Sequence, residues 1–531
     1  MNRKNLTAAV LAGLAGAAGI VGSAQAVNIN PDGLGQVLIY PYYTTNNNNV
    51  TLLSVVNTSE DAKAVKVRFT EGQNTREVLD FNLYMSAYDV WTASIALNDD
   101  GNPELTTTDT TCTVPYLFGM GGKQEFLPFA LTDGGSTSID RAKEGHFEMI
   151  EMGTLVDDDE GSAKAATHVN GVPADCAQLV AAWTDPDDTK AGDEGYWLMD
   201  PFYDMEAPSG GLFGGAAIVN IENANMASYD ATALNGFATD VFANDILHQE
   251  PGSVLPSLNS GNVYNGTVFL DNGATLNSGE LDRGVDAVSF VFMHDQIMNE
   301  YTTEVGPLAQ TEWVVTFPTK HFYVYAPSAG GSDVPVAPFT SVWDSKADDP
   351  TACEVVLLDT LWDREERTFE DPIVTGDPVP PIVSPAPPGV VDPSDPIIPF
   401  ELCYETSVIS FGDADLIGSA SPMLGSANFH NIDNTELGFE YGWARLQLDD
   451  YPYDSDESGS IDPDEEEYSR ADLGGLNGLP VAGFAVQTFK NGFLGQGGNT
   501  IGNYGGIYKH KATRKQGSDA GTGPVTETPD T

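Results

Sequence analysis

The sequence predicts a mainly β protein: an antiparallel β-sandwich with an immunoglobulin-like pattern at its N-terminus, long loops, few short helices and two disulfides. Three observations predict it. Five strand-length segments follow one another between Gln36 and Leu97, separated by polar turns. Helical periodicity is sparse elsewhere, while β-branched and aromatic runs recur. Four cysteines, none in a C-x-x-C pair, sit in a chain that opens like an exported protein.

That opening has three parts. Arg3 and Lys4 form a positive start, Leu6 to Val21 is apolar and rich in Ala, Gly and Leu, and Ala24-Gln25-Ala26 is a small-residue cleavage site. This is the pattern of a secretory signal peptide cut after Ala26, and no later run is long and apolar enough to span a bilayer as a helix. The 531 residues carry 23 basic against 78 acidic side chains, a formal charge of −55. Such a chain repels polyanions, so nucleic acid is a poor partner. It attracts divalent cations, and copies of it associate only where cations bridge them.

Gln36 to Tyr43 is β-branched and aromatic, and Val50 to Val56 follows the Asn-rich turn Asn46 to Asn49. In the next segment Ala64, Lys66 and Arg68 alternate with Val65, Val67 and Phe69, which gives one apolar face. Glu77 to Met85 repeats the alternation, and Tyr88 to Leu97 completes the set. Asp157 to Glu160 and Asp185 to Glu194 are acidic runs that read as solvated loops. Cys176 to Trp183 reads as a short helix, and Asn225 to Leu247 has a mixed apolar spacing compatible with helix. Gly210 to Gly215 lacks the ending of a phosphate-binding loop and reads as a tight turn before an apolar strand.

Ala287 to Met293 reads as a buried strand, His294 to Tyr301 as a short helix, and Trp313 to Phe317 and His321 to Tyr325 as strands broken by Pro318. Val355 to Leu361, Thr406 to Phe411, Phe439 to Leu448 and Val481 to Phe489 are further strands. Ten prolines and no Lys or Arg lie between Asp371 and Pro399, which predicts an extended, exposed loop. The cysteines Cys112, Cys176, Cys353 and Cys403 allow three connectivities. The simplest is local, Cys112 with Cys176 and Cys353 with Cys403, and the second pair would tether both ends of the proline-rich loop. The chain thus divides into a signal peptide (1–26), an N-terminal β-sandwich-like region (27–110), a β-rich centre with insertions (111–370), the proline-rich loop (371–400), a C-terminal β region (401–508) and a disordered tail (509–531). The tail starts with a small basic cluster, Lys509, Lys511, Arg514 and Lys515.

No catalytic constellation stands out. None of the seven histidines lies in H-E-x-x-H, and no serine lies in G-x-S-x-G. His146 and Glu148 share one side of a strand, a weak metal-pair pattern. Asp363, Glu365 and Glu366 could act as acid/base carboxylates, but among 78 acidic residues proximity carries little information, and Arg364 and Arg367 lie ready to pair with them.

One segment has the spacing of a defined site. In Asp454 to Glu465 (DSDESGSIDPDE), Asp454, Asp456, Ser458, Ser460, Asp462 and Glu465 fall at positions 1, 3, 5, 7, 9 and 12. Gly459 falls at position 6 and Ile461 at position 8. This frame resembles the EF-hand calcium loop. The resemblance implies Asp454, Asp456 and Ser458 as side-chain ligands, the Ser460 carbonyl, Asp462 directly or through water, and a bidentate Glu465. The entering segment alternates like a strand, so a strand–loop–helix or a bare loop between strands is expected instead of a helical hand. These features point to an exported, calcium-stabilised structural or interaction protein of the cell surface or extracellular space, which associates with itself or with a surface partner. The other readings are an extracellular hydrolase and a carbohydrate-binding protein, each with a structural calcium ion.

Overall fold

The computed structural model describes residues 26–517 apart from 157–160, 185–194, 241–246, 306–307, 326–334, 349, 368–398, 414–417, 435–437, 453–466, 469 and 495–499. The expected signal peptide, calcium loop and proline-rich loop, and both acidic runs, lie outside the described residues or almost wholly so. Val27, the first residue after the expected cut, is buried and bonded through its backbone to Asn265 and Thr267.

Alternating residues give strands two unlike faces, and the sheets stack on the apolar ones. The first sheet runs, in spatial order, Asn28–Ile29, Thr232–Asn235, Val37–Thr44, Glu144–Leu155, Lys63–Glu71, Glu77–Met85 and Cys112–Val114. The second runs Asn225–Asp230, Leu212–Asn220, Asn49–Asn57, Val90–Leu97, Pro103–Thr106 and Lys123–Glu125. Leu38, Tyr40, Val67, Phe69 and Phe147 of the first sheet meet Leu53, Val55, Trp91 and Ile95 of the second in one buried core. The sandwich begun by residues 27–110 is therefore completed by strands reaching Asn235.

A second sandwich follows. Its outer sheet runs Pro399–Leu402, Glu354–Asp363, Tyr441–Gln447, Gln296–Thr302 and Lys511–Thr513. Its inner sheet runs Phe429–Ile432, Thr406–Phe411, Ala309–Thr316, Ala482–Leu494 and Thr500–Lys509. Strand pairing in the four sheets is antiparallel except between Thr406–Phe411 and Phe429–Ile432. The inner sheet is apolar on both faces. Trp313, Val315, Ile409 and Phe411 pack against Ile297, Leu361 and Leu446 of the outer sheet. Val314, Val408, Phe484 and Val486 on its other face join the core of the first sandwich. There Tyr229 stacks on Phe484 with ring centroids 4.8 Å apart. The disulfides are the local pairs Cys112–Cys176 and Cys353–Cys403.

Several local expectations are corrected. Ala287 to Met293 is mostly helix, within Gly284–Phe292, and not a strand. All nine residues of that helix are buried, so no polar face marks its period. His294 to Tyr301 forms the strand Gln296–Thr302, because partners on both sides claim its backbone. His321–Val324 is a helical turn and not a strand, with the Tyr323 and Val324 amides bonded back to the Lys320 carbonyl. Among the described residues of Asn225 to Leu247, the helix considered there gives way to the strands Asn225–Asp230 and Thr232–Asn235, and Ala227, Tyr229, Ala231 and Ala233 point inward at every second position. The short helix at Cys176–Ala181 forms, capped by the Asp175 carboxylate on the Gln178 amide. Residues 511–513, expected within a tail, form a strand instead, since Lys511–Thr513 pairs with Gln296–Met298. Among the described residues no helix is long and apolar enough to cross a membrane.

Candidate functional site

The six residues of the calcium frame, Asp454, Asp456, Ser458, Ser460, Asp462 and Glu465, lie outside the described residues. Their flanks are described: Tyr451–Pro452 pairs antiparallel with Glu467–Tyr468, so the chain leaves next to where it entered. Glu401 lies near Cys353 and Cys403 in a group with metal-ligand spacing. Both sulfurs are joined in the disulfide, so neither is a thiolate available to a metal. His146 and Glu148 do not act together. Glu148 pairs with Arg68, while burial, followed by the Arg68 charge, pushes the His146 pKa down to about 3. Asp363 and Glu365 pair locally with Arg367 and Arg364, as their spacing suggested.

A concave site lies elsewhere, between the two sandwiches. Thr500–Lys509, at the edge of the inner sheet, runs close to Asn225–Asp230, at the edge of the second sheet. At His510 the chain leaves the inner sheet and enters the outer one as Lys511–Thr513. His510 is keyed in place: its Nε2–H donates to the Val314 carbonyl (3.0 Å) and its Nδ1 accepts from the Asn299 amide (3.1 Å). Gly483 passes alongside with φ +148°, where an added Cβ would stand 2.0 Å from the Val314 oxygen. A side chain there is excluded both by space and by backbone conformation.

A cleft of about 420 Å³ opens at this crossing. Ile29, Pro31 and Ile507 give it apolar walls; Asp230, His294 and Lys509 supply its charge and hydrogen-bonding groups. His294 donates from Nδ1 to the Thr513 carbonyl (3.2 Å), which leaves Nε2 as an acceptor. Burial, then the nearby Arg514 and Lys509 charges, push its pKa down to about 3, so the imidazole is neutral at physiological pH. Lys509 is held below the ordinary lysine range by partial burial and then by the repulsion of Lys511 and Arg514. Arg514 donates to the Phe269 and Val291 carbonyls, and Lys515 pairs with Asp449 at 2.8 Å. Among the described residues, Lys509 and Asp230 have neither a side-chain hydrogen bond nor an ion pair.

A neutral imidazole acceptor, an ammonium and a carboxylate around half-apolar walls can bind a small polar molecule. Sequence reading missed this site because its lining comes from six separated stretches of chain. Its single local sign was the basic cluster at Lys509 to Lys515, read as the start of a tail. No protein-family model, no curated protein and no solved structure matches this chain.

Proposed function

We propose that this is an exported, acidic, calcium-stabilised structural or interaction protein of the cell surface or extracellular space. The observation that carries this reading is the inner sheet of the second sandwich, whose two faces belong to two cores. Such a shared sheet couples both sandwiches into one packed body, and two disulfides cross-link it further. That construction suits a scaffold. The frame at Asp454 to Glu465 supports calcium as the stabilising ion, and the paired flanks support a loop inserted between strands. With a formal charge of −55, association of copies requires bridging cations.

Isothermal titration of the full chain with calcium tests the ion. The unmodified protein is expected to give a saturable heat, and the Asp454→Ala, Glu465→Ala double variant to lose it; equal heats from both would sink the site. Size-exclusion chromatography tests the association: calcium should move the protein to earlier elution and a chelator should reverse the shift. An unchanged elution volume would remove calcium-bridged self-association from the reading.

A further inference from the structure

We propose that the cleft between the two sandwiches binds a small hydroxylated carboxylate, the chemistry of a uronic acid sugar, through Lys509, His294 and Asp230. The charge pattern leads there first. Residues 509–515 carry four cations and no acid in a chain of net charge −55. Arg514 and Lys515 are engaged with carbonyls and with Asp449, while Lys509 faces the cleft with its ammonium unpaired among the described residues. Lys509, Lys511 and Arg514 repel one another, and an anion seated at Lys509 relieves that repulsion.

The other polar groups narrow the class. Asp230 and the Nε2 of His294 both accept hydrogen bonds, and a bare anion would satisfy neither. The ligand must therefore bring hydroxyl donors as well as a negative charge. Half-buried Ile29 and Ile507, with exposed Pro31, offer surface to the C–H face of a ring. A volume of about 420 Å³ is ample for one sugar ring and its ordered water. Carboxylate to Lys509, hydroxyls to Asp230 and His294, and ring to the apolar wall engage the charged groups and the imidazole acceptor that line the cleft. The site shares no residue with the calcium frame, so either proposal stands if the other falls.

The test is titration of the full chain, at neutral pH and low salt, with glucuronate or galacturonate, and with glucose, acetate and sulfate as probes of the separate parts. The uronates are expected to bind and the other three to bind at least about tenfold more weakly, as one lost charge-assisted contact implies. Lys509→Gln, a change at a side chain with no hydrogen bond or ion pair among the described residues, should weaken uronate binding about tenfold or more and leave the melting temperature in place. Lys511→Gln is the charge-matched control outside the cleft lining and should keep most of the affinity. Absence of uronate binding at millimolar concentration would overturn the proposal. So would sulfate or acetate binding as tightly as the uronates, or equal losses from the two lysine variants, since each reduces the site to unspecific charge.

Discussion

Replacing Arg141 with methionine is expected to cost about 3–5 kcal/mol of folding free energy, read from urea unfolding at neutral pH. Arg141 is nine-tenths or more removed from water and makes four charge-assisted bonds to two buried carboxylates. Its Nε and Nη2 reach the two oxygens of Glu71 at 2.7 and 2.9 Å, and Nη1 and Nη2 reach those of Asp133 at 2.8 and 2.7 Å. Glu71 also accepts the amides of Gln73, Asn74 and Arg76, so it organises the turn after Lys63–Glu71. The Asp133 backbone carbonyl accepts the Trp343 indole N–H at 2.8 Å, and the guanidinium lies over that ring. One cation thus joins a turn of the first sandwich to a loop from the second. Without it, two carboxylates remain in a place that water does not reach, which explains the size of the loss. Arg141→Lys should lose less, because the charge stays while the planar fork that serves both carboxylates goes. Lys123→Met, at a pair whose lysine is exposed, should leave the unfolding curve unmoved. A loss below about 1 kcal/mol for Arg141→Met would show that the network does not form as described.

The same chemistry explains what could be read from the sequence and what could not. The strands of the first sheet were legible because burial on one face leaves an alternation: Val65, Val67 and Phe69 do point into the core. The other face was misleading. Lys66 and Arg68 alternate with these residues, yet both are buried. Gly252 covers this face from distant chain, and each cation meets an acid there, Lys66 with Asp80 and Arg68 with Glu77 and Glu148; Lys63, in line with Val65, is buried too and meets Glu151 at 2.7 Å beside Ser209. A lysine looks the same in sequence whether it faces water or a carboxylate 88 positions away. The helix Gly284–Phe292 failed for the converse reason, since complete burial erases the period that would have announced it. The cleft was illegible as a unit because its walls meet only after two sandwiches have packed, whereas the calcium frame was legible because its ligands are local.

Stability is expected to fall on acidification from about pH 6.5, most steeply below about pH 4.5, and to fall more gently as pH rises from about 6.5 to 8. The acid limb comes from five histidines. Burial is the first cause in each case, and it pushes His146, His294 and His321 down to about 3 and His248 and His510 down to about 4. In the unfolded chain they protonate near 6.5. A depressed folded pKa means that their contribution is complete above that value and is lost as pH falls through 4 and 3. The alkaline limb has the opposite sign. Burial pushes Glu312 up to about 7 and Glu405 up to about 8, against about 4.3 in the unfolded chain. Their contribution is complete below the unfolded value and is lost as pH rises through 7 and 8. Lys320, which faces Glu405, is pushed down to about 8 by its own burial, so it begins to oppose this trend from about pH 7 upward. Between pH 4.5 and 6.5 the two carboxylates oppose the five histidines only in part, so stability already falls on acidification there, less steeply than below 4.5. Above 6.5 the histidines are silent, and that window isolates the carboxylates. Glu405→Gln should therefore flatten the decline between pH 6.5 and 8 by about 1.4 kcal/mol per pH unit, the slope of one proton. Urea unfolding at half-unit pH intervals measures it. Curves that superimpose above pH 6.5 would mean that Glu405 is already ionised in the folded protein, with the Lys320 ammonium beside it outweighing the burial of the carboxylate.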